Sequence, residues 1–196
     1  VCKKTGEEMV RMIERARKHS DTVGGKYEIR ATGLPAGLGS YVHYARKLDG
    51  RLAGVLMSKQ SVKAVEIGEG DRLGSLFGSD AHDEIFFSKT GGYYHKTNRA
   101  GGIEGGMTNG EDLIVRVTMK PIATLSRPLV SVNMRTKKTE KADFERSDFC
   151  AVPAGSVIGE ALVAFVLADA FLEKFGGDSL TEIRRNFNGY LKQIRS

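Results

Sequence analysis

The stretch from Asn98 to Thr124, NRAGGIEGGMTNGEDLIVRVTMKPIAT, constrains this chain more than any other. It carries glycine at 101, 102, 105, 106 and 110, then changes at Leu113 to period-two alternation in which Leu113, Val115, Val117 and Met119 share one face. That periodicity belongs to a strand with one face in a core. Lys120-Pro121 stops the strand, because proline offers no ladder donor and biases the residue before it towards extended geometry. A core strand therefore has a glycine-rich approach at one end and a Lys-Pro-x-x-Thr turn at the other. Glycines let backbone N–H groups come close to a ligand, and a lysine beside a hydroxyl suits a phosphate or a polar ring edge. A flexible glycine-rich hairpin fits the same spacing. No helix follows the glycines and no Gly-Lys-Ser/Thr closes them, which excludes the Rossmann and P-loop fingerprints.

Around this strand the chain alternates helical and extended patterns. Thr5-Gly-Glu-Glu8 reads as a capping box for an amphipathic helix to about His19. Tyr27 to Ala31 reads as a half-buried strand, Gly33 to Gly39 as a loop, and Leu48 to Leu56 as a helix whose Gly50 and Gly54 suggest close packing. Val62 to Ile67 and Ile85 to Ser88 read as strands, with a polar loop from Gly78 to Glu84 before the second. Pro128 to Asn133 reads as a strand paired back on Leu113 to Met119. Val157 to Phe175 is apolar on nearly every face, as a helix buried on several sides or packed in an oligomer would be. Ser179-Leu-Thr-Glu182 is a second capping box, opening a last amphipathic helix through Ile183, Phe187, Tyr190, Leu191 and Ile194. These elements predict an α+β fold, antiparallel strands in a central sheet or sandwich with helices packed outside, over 1–196 without an internal boundary.

With 196 residues, 40% of them hydrophobic, the chain can build one substantial core. Its net charge of +6 fits an anionic partner. The charge is dispersed, however, and the densest basic run, Arg135 to Lys141, includes Glu140, which argues against a nucleic-acid groove. Cys2 and Cys150 form no CxxC pair, and His19, His43, His82 and His95 are not at metal-ligand spacings, so neither a disulfide scaffold nor a metal site is expected. There is no signal-peptide pattern, and the apolar run Ala161 to Leu172, broken by Asp169, is too short to span a bilayer. A cytoplasmic location is expected. The start at Val1, almost directly before a helix, suggests a fragment of a longer protein.

Two short polar groups are candidates for chemistry. His82 lies among acids and reads either as a surface histidine or as a base. Arg146 and Asp148, at i and i+2 of an extended segment, would point the same way. They fit either an ion pair capping the long helix or a functional pair, with a cation against an anionic group and a carboxylate near a titratable nitrogen.

The run Asn98 to Gly110, then Lys120-Pro-Ile-Ala-Thr124, then Arg146-Ser-Asp148 leading into Ala151-Val-Pro153, resembles chorismate synthase. Gly33-Leu-Pro-Ala-Gly-Leu-Gly39, Ser79-Asp-Ala-His-Asp-Glu-Ile85 and Lys174-Phe-Gly-Gly-Asp178 extend the resemblance over nearly the whole chain, in order. It implies a reduced-FMN-dependent lyase that eliminates phosphate from 5-enolpyruvylshikimate 3-phosphate to give chorismate. It also implies a homotetramer and, for some members, a separate flavin reductase. The family's first half, with its two histidines and a serine-alanine-arginine motif, has no counterpart here, so the chain looks like the C-terminal half. By the resemblance, Gln60, Ser61, Gly105 and the turn residues Lys120, Pro121, Ile122, Ala123 and Thr124 match FMN-binding positions. Arg146 matches a residue touching flavin and substrate, and Asp148 a carboxylate that assists proton handling. The resemblance departs from the family pattern at Ser58-Lys-Gln-Ser61 and at Asp71-Arg72. A non-catalytic flavin- or phosphate-binding module and a basic nucleic-acid-binding domain stay open as alternatives.

Overall fold

The computed structural model describes residues 2–194. Strand β7 (Leu113–Met119) is the middle of a three-stranded antiparallel sheet, between β1 (Gly25–Ala31) and β2 (Val62–Ile67). Its alternation decides the layering. Leu113, Val115, Val117 and Met119 are buried, whereas Ile114, Arg116 and Thr118 between them are half-buried on the other face. Arg116 there donates to Glu28 at 2.9 Å and to the Gly68 carbonyl, giving that face a polar character.

Two helices cover the apolar face. From α2 (Leu48–Met57) come Leu48, Leu52 and Leu56, all fully buried. From α4 (Val152–Phe175) come Val152, Val163, Val166, Ala170 and Phe175. Each of these leucine, valine and phenylalanine side chains contributes about 1.5–3 kcal/mol by leaving water. Gly155 and Gly159 let α4 settle onto the sheet, since a β-carbon on Gly159 would lie 2.7 Å from the Tyr27 hydroxyl and one on Gly155 would run into Met119. Helix α5 (Leu180–Gln193) opens on Ser179, whose hydroxyl accepts from Glu182 N at 3.2 Å, and packs Phe187 and Tyr190 against Phe171 and Phe175. Helix α1 (Lys3–Lys18) precedes β1. Small pieces complete the chain: α3 (Gly78–Ala81), the hairpins β3 (Ile85–Ser88) with β4 (Gly92–His95) and β5 (Ile103–Glu104) with β6 (Met107–Thr108), and β8 (Val130–Val132) with β9 (Thr139–Lys141).

The architecture agrees with the expected α+β class, and several details differ. Strand β8 pairs with β9 rather than with β7, because β1 and β2 already occupy both edges of β7. Helix α1 starts at Lys3, ahead of the expected capping box, and the Thr5 hydroxyl sits 3.2 Å from the Cys2 sulfur instead. Helix α4 begins five residues early, at Val152, because Pro153 is tolerated in a first turn where no N–H is needed. Its 24 residues are long and apolar enough to cross a membrane by length and composition, contrary to the shorter run expected. In this chain it packs on β1 and α2, and its Asp169 and Glu173 form ion pairs with Arg51 and Arg46. Its outer row, Val157, Ile158, Phe165 and Leu172, is nevertheless exposed, so it is not buried on several sides within this chain. Of the two α2 glycines expected to mark close packing, Gly50 does, since a β-carbon there would lie 3.3 Å from the Tyr44 carbonyl oxygen, whereas one on Gly54 would meet nothing within 4 Å.

Candidate functional site

Three segments meet where Met119 lies opposite both Gly25 and Val62, at one end of the sheet. The Lys120–Thr124 turn leaves β7 there and is tied down at three points. Lys120 N donates to the Ser61 carbonyl at 2.8 Å, Thr22 Oγ1 donates to the Ile122 carbonyl at 2.7 Å, and Ser147 Oγ donates to the Thr124 carbonyl at 3.1 Å. Val23 N donates to the Phe149 carbonyl at 2.9 Å, which fixes the far end of the Arg146–Asp148 segment beside the same corner. Gly24 is required here, since a β-carbon would collide with the Met119 carbonyl.

Gln60, Ser61, Lys120, Pro121, Ile122, Ala123, Thr124, Arg146 and Asp148 are thus gathered on one corner through backbone and hydroxyl hydrogen bonds between their segments. Gln60, Lys120, Arg146 and Asp148 are exposed. Among the described residues, the side chains of Lys120, Arg146 and Asp148 enter no ion pair, and the two last do not cap α4, whose N-cap Ala151 has no side-chain bond. Ser61 holds φ at 71°, a left-handed backbone uncommon for a residue with a side chain. Such outliers cluster where a backbone is shaped for binding. Two cations, a carboxylate, hydroxyls and an amide on one exposed corner can grip an anion and hydrogen-bond the polar edge of a planar ring.

Gly105 lies elsewhere. It forms, with Gly106, the turn between β5 and β6, at φ 59° and 88°. Two successive positive φ values mark a type I′ hairpin turn, which glycine adopts without strain. A β-carbon on Gly105 would meet nothing within 4 Å, so the turn opens onto free space, whereas one on Gly106 would lie 2.6 Å from Lys47 Cγ. The Gly106 carbonyl accepts from Leu48 N at 2.9 Å, in the first turn of α2. Helix α2, roughly 15 Å long, therefore runs from the glycine hairpin towards the Gln60–Ser61 joint. The corner and the hairpin are its two ends.

The histidines divide. His82 is exposed beside α3. His95 is 9% exposed, with Nε2 3.6 Å from Glu104 and Nδ1 3.4 Å from Glu111. Asp83, next to His82, accepts from Ala100 N, Arg99 N and the Thr97 hydroxyl and so ties down the start of the glycine stretch. An apolar groove of about 250 Å³ lies along α1, lined by Met9, Met12, Ile13, Gly25, Cys150 and Pro153; none of the sequence-predicted site residues lines it. Thr22 and Ser147, which hold the turn, carried no local signal, because their partners lie 100 and 23 residues away.

A family model described as chorismate synthase matches residues 1–172. The chorismate synthase of Geobacter sulfurreducens is 56% identical over 97% of this chain and 50% of its own length. That of Desulforudis audaxviator is 56% identical, over 97% and 49%. A solved crystal structure of a chorismate synthase superposes with a TM-score of 0.81 at 41% identity, covering 96% of this chain and 49% of that one. The chain spans about half the length of the curated relatives it matches. With a model match over most of its residues and identity above one half, the chain belongs to the chorismate synthase family.

Proposed function

We propose that this chain is the flavin-holding half of a reduced-FMN-dependent lyase that converts 5-enolpyruvylshikimate 3-phosphate to chorismate and phosphate. The observation that carries the reading is the convergence of Ser61, Lys120–Thr124 and Arg146–Asp148 at one end of the central strand, in a member of this family. In the reaction a C–O bond to phosphate and a C–H bond on the same ring break, a C=C bond forms, and no net oxidation occurs. Reduced FMN, when bound, supplies electron density that eases phosphate departure.

The residues of this chain bind and orient. Lys120, with no ion pair among the described residues, offers a cation to an anionic or carbonyl oxygen. Gln60, Ser61 and Thr124 offer hydrogen bonds to a polar ring edge, and the open Gly105 turn offers backbone at the other end of α2. Arg146 presents a guanidinium that grips a phosphate bidentately. Asp148 can hold a proton on its carboxylate oxygen and return it, within two residues of that guanidinium. The exposed α4 row and the aromatic β3–β4 hairpin supply apolar surface suited to a homotetramer.

In the full-length protein, Arg146→Ala and Asp148→Ala should each lower phosphate release by about tenfold or more, with unchanged circular dichroism. A flavin titration separates their roles: Arg146→Ala should weaken FMN or substrate binding, while Asp148→Ala should leave FMN affinity intact. Wild-type turnover in both folded variants defeats the assignment. The chain's half-length favours one second reading, a non-catalytic flavin- or phosphate-binding module. That reading wins if the full-length protein binds FMN but releases no phosphate from the substrate.

A further inference from the structure

Resting on the flavin reading of Gly105, we infer that Thr108 and Tyr190 are positioning residues that hold the glycine hairpin in its ligand-facing conformation through the Leu34–Gly39 loop. A pair of two-residue strands cannot hold itself; isolated hairpins are marginal in water. Its order must be imported. Thr108 is a buried polar side chain, 4% exposed. Its hydroxyl donates to the Pro35 carbonyl at 2.6 Å and accepts from Leu38 N at 2.8 Å. Its backbone adds two more bonds to the same loop, N–H to the Leu38 carbonyl at 2.9 Å and carbonyl from Gly37 N at 2.6 Å. Every polar atom of Thr108 thus faces the loop.

The loop is held in turn from its other side. Tyr190 of α5 donates its hydroxyl to the Ala36 carbonyl at 2.8 Å. The ring is itself fixed, 5.4 Å from the Phe175 centroid and with Lys174 Nζ 4.2 Å from its own centroid. The brace therefore passes from α5 to the loop, from the loop to Thr108, and from Thr108 to the Gly105–Gly106 turn, which Leu48 N holds from α2. Helix α5 lies beyond the residues that the family model matches. Backbone donors aimed at a ligand are effective only when they need not reorganise on binding, and this brace supplies that order from outside the hairpin.

Three variants of the full-length protein test it: Thr108→Val, which keeps the side-chain shape and loses both hydroxyl bonds; Thr108→Ser, which keeps the bonds; and Tyr190→Phe. Amide hydrogen exchange is read at Gly37, Leu38 and Thr108 with the β7 amides as reference, and FMN affinity by flavin fluorescence. Thr108→Val should speed exchange at the three amides by about tenfold with β7 unchanged, the equivalent of one buried hydrogen bond. It should weaken FMN binding by about fivefold, and Thr108→Ser should restore both to within about twofold. Tyr190→Phe should move exchange at Gly37 and Leu38 by about threefold and decides the matter if Thr108→Val also loosens β7. Wild-type exchange in these variants, or faster exchange with unaltered FMN affinity, overturns the inference. If the unsubstituted full-length protein takes up no FMN, the flavin reading of Gly105 fails, and the exchange pattern alone then decides for or against the brace.

Discussion

Tyr27 carries its hydroxyl into the contact with α4, where among the described residues it finds no hydrogen-bond partner, and burial raises its pKa. An unpaired buried hydroxyl costs about 1–3 kcal/mol. Tyr27→Phe should accordingly stabilise the chain by about 1 kcal/mol in urea unfolding, since only the unsatisfied oxygen is removed. The opposite sign would mean that the hydroxyl has a partner. Gly159→Ala should do the reverse, losing about 1–3 kcal/mol by overpacking, because the new methyl would press on the same oxygen. At this scale the sequence was legible at some local motifs and misleading at others, since the Thr5–Glu8 capping box did not form. Lys120-Pro121 ends a strand through its own backbone, whereas the glycine stretch leaves a hairpin and a ligand cradle both open, and only the structure shows the turn at Gly105-Gly106. Thr22 and Ser147 were silent, because a threonine or serine that ties a distant carbonyl looks like any other.

Elements were legible by period and illegible by partner. The alternation of β7 fixes which face is apolar, but nothing local to Val130–Val132 says that β9 rather than β7 will pair with it. The loop before the glycine stretch offers a test of a single element. Burial of Asp83 opposes its charged form, but the Ala100 and Arg99 amides, the Thr97 hydroxyl and the Arg99 charge outweigh it, and the carboxyl is held below its usual range. A depressed folded pKa stabilises fully above the unfolded value, about 3.9, and that contribution is lost as pH falls through the folded value. The Thr97–Ala100 turn should therefore loosen in acid, below about pH 3.9, visible as shifts of the Arg99 and Ala100 amide resonances. In Asp83→Asn those amides should already be displaced at neutral pH, with little further change on acidification.

For the molecule as a whole, a helix apolar on nearly all sides announced burial without naming what buries it. One side of α4 meets the sheet and α2; Phe165, 75% exposed, stands on the other. Exposed apolar rows of this kind drive association. Phe165→Asp should change the unfolding free energy by less than about 0.5 kcal/mol. The same variant should reduce concentration-dependent self-association in sedimentation velocity. Loss of folding instead would show that the outer row belongs to the chain's own core.

Helix α2 has a further consequence, since one end takes the carbonyl of the glycine turn and the other leads into Gln60 and Ser61. It acts as a ruler with indivisible graduations. Removing one residue would shorten it by about 1.5 Å and swing Gln60 by about 100° around the axis. Spacing and orientation cannot be adjusted separately, because each residue added or removed changes both at once. A change of length in this helix would therefore displace the Gln60–Ser61 joint relative to the glycine turn, even though every residue at either end remained in place.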